Sequence, residues 1–404
     1  MNQVKKELVP KLRFPEFKKD GDWEEKKLGE VGEIYQPKTI SQTDLTSKGF
    51  DVYGANGIIG KYHSFNHEFE QIAITCRGST CGTVNLTNPK SWITGNAMVA
   101  NVDNNKSVSK KFIFYQLSGA NLEYLISGSG QPQITGNIKK HALSIPPIKE
   151  EQQEIADCLS SLDELIEAQD QKLEALQRHK KGLMQDLFPV NGETLPRLRF
   201  PEFVGDVEWN LKPFSNFIKL YRGSSPRPIQ EFLTKNNDGV NWIKIGDTKF
   251  SSNFIIGKVE EKITKKGAER SRFVEVGELI LANSMSYGKT YKLAINGCIY
   301  DGWFVLREYE DFFYKPFLLQ LLNSDFMQKQ YESLSAGGIV QNISSEVVYI
   351  SKLFHTSIPE QVCIADFLSS IDNLITTQTK KLESLRLHKK GLMQQLFPNI
   401  SEAQ

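Results

Sequence analysis

Glu150 to Pro189 reads EEQQEIADCLSSLDELIEAQDQKLEALQRHKKGLMQDLFP, and Glu360 to Pro398 reads EQVCIADFLSSIDNLITTQTKKLESLRLHKKGLMQQLFP. The copies align without a gap at an offset of 209 residues. In the first, Ile155, Leu159, Leu162, Ile166, Gln169, Leu173, Leu176, Lys180, Leu183 and Leu187 step by four and three alternately, which is a heptad seam. The second keeps the seam in Ile364, Leu368, Ile371, Ile375, Gln378, Leu382, Leu385, Lys389, Leu392 and Leu396. The polar members recur in place, Gln169 with Gln378 and Lys180 with Lys389. Each copy predicts one helix of roughly 35 residues, about 50 Å long.

A shorter repeat precedes each helix. Leu12-Arg13-Phe14-Pro15-Glu16-Phe17 returns as Leu198-Arg199-Phe200-Pro201-Glu202-Phe203, and Trp23 and Trp209 keep that offset of 186. The chain is thus one plan written twice: lead-in, globular domain, long helix. The expected boundaries are a first domain over 1–147, its helix over 148–189, a second domain over 190–357, and a helix with tail over 358–404. The predicted class is α+β, two duplicated mixed α/β domains separated by two long helices.

At 404 residues and 39% hydrophobic content the chain suits two or three soluble domains. No run of about 18 apolar residues suggests a membrane span. MNQVKKELVPKLRFPEF lacks an apolar signal region, so a cytoplasmic location is expected. Five irregularly spaced cysteines are expected to be reduced thiols. Net charge is +1, but 150–189 carries −6, which leaves +7 elsewhere. That mild basic bias permits nucleic-acid binding without establishing it.

The X-Pro steps predict extended backbone at Phe14 and Phe200, with the phenylalanines of each lead-in packed as a latch. QIAITCRGSTCGTVNL reads as a hairpin, Lys110–Leu125 as one or two short helices, and GSGQPQITGN (128–137) as a polar loop. His141 to Pro147 is expected to form a last strand before the long helix. The second domain follows the same order. Arg222 to Arg227 sits where Gln36 to Thr39 sat, and GELILANSMSYGKT parallels QIAITCRGSTCGT. Phe313–Leu334 is expected to be helical, AGGIVQNISSE repeats the polar loop, and Leu353–Ile358 is the last strand before Pro359 opens the helix.

Catalytic patterns fail on inspection. His63-x3-His67 with Cys76-x4-Cys81 has loose spacing for zinc and no counterpart in the second copy. Gly288-Lys289-Thr290 lacks the glycine a phosphate loop needs at Asn283. Asp247, Glu260 and Lys262 could be drawn as a nuclease triad, but 24% charged residues produce such patterns by chance. GSGQPQ has Gln133 at the third glycine of a dinucleotide fingerprint, and Ile145-Pro146-Pro147-Ile148 lacks the Asn or Asp of an amino-methyltransferase motif. No catalytic residue, metal site or cofactor is expected in this chain. What remains is a set of matched polar loops, rich in the side chains that hold phosphates and read base edges. In the first domain these are Gln36, Lys38, Thr39, Arg77, Ser79, Thr80, Gln131, Gln133, Thr135 and Asn137. In the second they are Arg222, Ser224, Ser225, Arg227, Asn283, Ser286, Tyr287, Lys289, Gln341, Asn342 and Ser344.

With LRFPEF–Trp twice, IADCLSSLDELI and IADFLSSIDNLI, and HKKGLMQDLFP and HKKGLMQQLFP, the chain resembles the specificity subunit of type I restriction–modification enzymes. The resemblance runs through essentially the whole chain. It implies two target-recognition domains, an antiparallel coiled coil of the two conserved helices with pseudo-two-fold symmetry, and an asymmetric bipartite double-stranded DNA target. S-adenosylmethionine, ATP and Mg would then belong to partners, two modification (methyltransferase) subunits and two restriction (motor–nuclease) subunits. In an antiparallel pair, setting Gln169 against Lys389 and Lys180 against Gln378 leaves no polar group facing a leucine, so that register is expected. The helices are the only rigid elements expected between the domains, so their length is expected to set the gap between half-sites. The alternatives are a duplicated DNA-binding adaptor or regulator without a methyltransferase partner, and a methyltransferase or nuclease acting alone. Co-purification with a methyltransferase, and a methyl-transfer assay of the chain by itself, separate them.

Overall fold

A computed structural model describes residues 8–398, except 56, 129, 191, 285–287 and 336–341. The chain divides into two compact units, Met1–Gln171 with Lys380–Gln404, and Lys172–Thr379. Unit 1 contains β1 (Glu24–Lys27), α1 (Leu28–Val31), β2 (Glu33–Tyr35), β3 (Phe50–Gly54), β4 (Gly57–Tyr62), β5 (Ile72–Thr75), β6 (Val84–Leu86), β7 (Trp92–Ile93), β8 (Ala97–Asn101), α2 (Lys110–Gly119), β9 (Ile126–Ser127), β10 (Gln133–Ile134) and β11 (Ala142–Ile145). The chain then enters α3 (Lys149–Leu187), whose second half lies in unit 2. There follow β12 (Asn210–Pro213), β13 (Lys219–Arg222), β14 (Leu233–Thr234), β15 (Val240–Ile243), β16 (Ile255–Ile256), β17 (Glu261–Ile263), α4 (Lys265–Ala268), β18 (Arg272–Val274), β19 (Leu279–Ala282), β20 (Thr290–Leu293), β21 (Gly297–Ile299), β22 (Trp303–Arg307), α5 (Lys315–Leu322), α6 (Asp325–Ser335), α7 (Ser345–Ile350) and β23 (Lys352–His355). Helix α8 (Ile358–Leu396) begins in unit 2 and returns its second half to unit 1.

The units share a topology. In unit 1, β2-β8-β5-β6 form an antiparallel sheet, and β4-β3-β7 form a second with β3 and β7 parallel. In unit 2 the orders become β13-β22-β19-β20-β16 and β14-β17-β15-β21-β18, with two parallel pairs, β15 with β21 and β16 with β20. The longer second domain spends its extra residues mostly between β13 and β19, which enlarges both sheets. A two-stranded clamp closes each domain, β1 on β11 and β12 on β23.

Both long helices run 39 residues, a turn beyond the expectation, because the ordered helix starts before the glutamates. All ten seam positions of each helix are buried or half-buried. In unit 1, Ile155 and Leu159 of α3 and Leu396 of α8 close a core with Ile72, Phe112 and Leu143. In unit 2, Leu187 of α3 and Ile364 and Leu368 of α8 do so with Leu281, Phe317 and Leu353. Within each unit the half-helices run antiparallel. Arg386 reaches Asp170 while Lys389, further along α8, reaches the earlier Asp163.

The structure adds to two expectations and corrects a third. Beside the seam, Lys180 bonds Asp372 and Lys389 bonds Asp163. A carboxylate gives each lysine a charge-assisted bond. The lead-in packs through Phe14 and Phe200, which lie half-buried against the cores of their units, and it is anchored by its arginine as well. Arg13 donates to both carboxylate oxygens of fully buried Glu151 at 2.8 Å, and Arg199 does the same to Glu360 at 2.8 and 3.0 Å. Finally, Ser345 and Glu346, expected at the end of the polar loop, open a helix over Ser345–Ile350, because Ser344 caps it by accepting from the Val347 N–H. The extended backbone at Phe14 (ψ 139°) and Phe200 (ψ 142°) is as the prolines require.

The repeated tryptophans close the plan. Trp23 meets Phe397 edge-on at 6.5 Å, and Trp209 meets Phe188 at 6.3 Å. Each LFP terminus thus packs on the tryptophan of its own unit. Gln152 and Gln361 also repeat a role, each accepting from the N-cap N–H of a domain helix (Ser109 at 2.8 Å, Tyr314 at 2.9 Å).

Candidate nucleic-acid interface

Antiparallel pairing places the ends of β2 and β5 beside the start of β8: Tyr35 faces Val99, and Thr75 faces Ala97. The segments leaving β2 and β5 and entering β8 therefore meet at one end of the sheet. Gln36 Nε2 donates to the Gly95 carbonyl and lies 3.4 Å from Cys76 Sγ. Gly95 must be glycine here, since a Cβ would sit 2.5 Å from Thr39 Oγ1 and 2.9 Å from the Pro37 carbonyl. Arg77 and Gln133 form a β-bridge, supported by Gly78 N–H to Pro132 O (3.1 Å) and Ile134 N–H to Cys76 O (3.0 Å). Gln36, Thr39, Arg77 and Gln133 are exposed and are brought together on this frame. Ser79, Gln131, Thr135, Asn137 and Lys38 are exposed on the same three segments, while Thr80 turns its hydroxyl to the Ala55 carbonyl (2.9 Å).

Unit 2 repeats the frame. Arg222 faces Phe304 and Ala282 faces Trp303, so the segments after β13 and β19 again meet the turn into β22. Arg222 Nε donates to the Asp301 carbonyl (3.2 Å), as Gln36 does to Gly95. Ser284 and Asn342 form the bridge, with Ile343 N–H to Asn283 O at 2.7 Å. The bonds recur while the side chains change. Gln36 is replaced by Arg222, Gly95 by Asp301, Cys76 by Asn283, Arg77 by Ser284, and Gln133 by Asn342.

Asp301, Arg270 and Arg272 were not singled out in the sequence. Its carboxylate accepts from the Ser225 hydroxyl and lies 3.6 Å from an Arg227 nitrogen, and its carbonyl also accepts from Asn283 Nδ2 (3.0 Å). Burial pushes the Asp301 carboxyl upward, but the Ser225 hydroxyl, its own backbone N–H, Arg227 and Arg222 outweigh that and hold it below the usual carboxylate value. Ser224 Oγ donates to the Arg270 carbonyl (3.4 Å), and Arg272 Nε donates to the Arg222 carbonyl (3.2 Å). Four guanidinium-bearing residues, 222, 227, 270 and 272, thus flank one arm. The pairing of β18 with β21 carries Arg272 there, a long-range contact that no local pattern reveals.

Two candidates lie apart from this cluster. Lys289 is half-buried, and burial lowers its pKa against the pull of its charged neighbours Asp325 and Glu332. Ser344 is occupied as the α7 cap. Ser286, Tyr287 and Gln341 fall outside the described residues.

The rejected chemistry has structural roles. His67 is bonded to Tyr35 Oη (2.8 Å) and Asn66 Oδ1 (2.6 Å). Fully buried Asp247 accepts backbone N–H groups of Lys244 and Glu260 (2.8 and 3.0 Å), bracing a turn. Among the described residues no cluster of three His, Cys, Asp or Glu side chains could hold a metal, and no helix is long and apolar enough to cross a membrane.

Residues 20–178 match the family model of the type I restriction modification DNA specificity domain. The chain is 26% identical over 411 residues to the type I restriction enzyme MjaVIII specificity subunit of Methanocaldococcus jannaschii, covering 96% of this chain and 93% of that one. It is 29% identical over 160 residues to the EcoprrI specificity subunit of Escherichia coli, 38% of this chain and 39% of the relative. In fold it is similar to the S subunit of a type I restriction–modification system from M. genitalium, with a TM-score of 0.63 at 17% identity over 97% of this chain and all of that one.

Proposed function

We propose that this chain, which carries a type I restriction modification DNA specificity domain, is the sequence-specific DNA-binding subunit of a type I restriction–modification complex. Each unit reads one half of an asymmetric bipartite site through the segments gathered at its sheet end. One observation carries this reading. The bond to the turn carbonyl, the β-bridge and the backbone bond beside it recur in both units, while the side chains mounted on this frame differ at Gln36/Arg222, Gly95/Asp301, Arg77/Ser284 and Gln133/Asn342. Two readers of one build and different chemistry suit a target whose halves differ.

The chain performs no chemistry itself and holds no cofactor. S-adenosylmethionine, ATP and Mg act on partner subunits, and the assembled complex methylates or restricts. Two modification subunits dock on this chain and two restriction subunits join them. The near-identical sequences of α3 and α8 support two equivalent docking surfaces, as does the exposure of Leu165 and Leu374 at matching positions.

Methylation profiling of cells carrying the reconstituted complex gives the target. Binding is then measured on duplexes with each base pair replaced in turn. Arg77→Ala should weaken discrimination in one half-site and Arg222→Ala in the other, by about 1–3 kcal/mol for a base-edge contact. Equal relaxation of both halves by Arg77→Ala overturns the assignment.

A further inference from the structure

An acidic side chain on a surface meant for a polyanion needs a reason. Asp301 stands beside Arg222 and Arg227 with its side chain 39% exposed. One residue touches four of the candidate readers: the carboxylate holds Ser225 and Arg227, and the carbonyl holds Arg222 and Asn283. The equivalent turn of unit 1 has no side chain, and its 36–39 arm lies directly against the Gly95 backbone. Shape fixes that arm. In unit 2 a carboxylate fixes it, and the difference in charge has a consequence for DNA. Guanidinium groups free to swing would fall onto any phosphate, which adds affinity without sequence information. A carboxylate beside them opposes that collapse and keeps the arm in one shape.

We propose that Asp301 is a positioning residue for base discrimination by unit 2: seated on buried Asn283, it holds the 222–227 arm in reading geometry and restrains Arg222 and Arg227 from non-cognate phosphates. The proposal rests on unit 2 being a reader of one DNA half-site.

The test uses the full chain in its complex, with cognate duplex, single-substitution duplexes and an unrelated duplex, over a range of salt. Asp301→Asn should raise affinity for unrelated DNA several-fold at low salt. The slope of log K against log salt should steepen by about one, the effect of one more phosphate contact. The preference for cognate over unrelated DNA should fall about tenfold, about one good contact's worth of discrimination. That loss should be confined to substitutions in the half-site affected by Arg222→Ala. Asp301→Glu keeps the charge and should leave the salt slope at its parental value. Ser225→Ala removes the arm's bond from the other side, and should lower cognate discrimination without steepening the slope. A merely structural role lowers both affinities together and leaves the slope alone, and that result for Asp301→Asn overturns the proposal. An unchanged preference does so too. If Arg77→Ala and Arg222→Ala show no half-site selectivity, the reading of the units fails instead.

Discussion

Lys180 Nζ lies 2.7 Å from Asp372 Oδ1 and 2.8 Å from Oδ2, joining α3 to α8. Gln320 of the domain helix α5 donates to the same carboxylate at 3.0 Å. In unit 1 Lys389 bonds Asp163, and Tyr115 of α2 supplies the third member, its hydroxyl 2.8 Å from Asp163 Oδ2. Each carboxylate therefore ties both half-helices to the domain of its unit. Lys180→Met should cost about 1–3 kcal/mol, the worth of a hydrogen bond to a charged, largely buried partner. A double-mutant cycle with Asp372→Asn isolates the pair. A coupling energy near zero in denaturant titrations would show that the contact does not hold the helices.

The Arg13–Glu151 pair is more deeply buried, with side-chain exposures of 6% and 0%, and Trp23 Nε1 adds a bond to Glu151 at 3.2 Å. Removing one partner strands a charge, so Arg13→Met should destabilise by about 3–5 kcal/mol. Replacing both by apolar residues of similar volume removes the stranded charge, so Arg13→Met with Glu151→Leu should recover much of that loss. Thermal melts of the three proteins check the order: wild type, double variant, single variant.

Gly95→Ala should act on the interface and spare the core. The new Cβ would overlap Thr39 and the Pro37 carbonyl, so the 36–39 arm must move by a few tenths of an ångström or more. Binding should weaken for the half-site read through Arg77, with little change in melting temperature. A fall in discrimination at the other half-site would contradict this.

The duplication, the seam and the order of the elements were legible because each is a local or periodic pattern. LRFPEF was visible as a repeat, but its working residue was not, since only the fold shows that Glu151 and Glu360 wait for Arg13 and Arg199. The lysines' carboxylate partners were missed for a related reason. The seam residues alone were compared, and the acceptors Asp163 and Asp372 stand beside it. In the interface, three matched segments were found by their polarity. The turn holding Gly95 or Asp301 was passed over, because a lone glycine or aspartate before a strand carries no signal until the paired strands bring it beside Gln36 or Arg222.

Stability should fall in mild acid, because three imidazoles are held neutral. Burial lowers the pKa of His67, His141 and His355, with Asp103 pulling His67 back slightly and Lys212 pushing His355 further down. His141 Nδ1 lies 2.8 Å from Tyr124 Oη, and His355 stacks on Phe217 at 5.3 Å. In the unfolded chain these groups titrate near the usual 6.5. Below that pH the unfolded state binds more protons than the folded one, so stability rises with pH there. The full contribution is present above about pH 6.5 and is lost as pH falls toward the depressed folded values. Urea titrations from pH 7.5 to 5 should show a declining midpoint. His141→Asn and His355→Asn should each flatten the decline, even if they lower stability at pH 7.5. A midpoint that stays level down to pH 5 would mean that the folded protein protonates these rings as readily as the unfolded chain does.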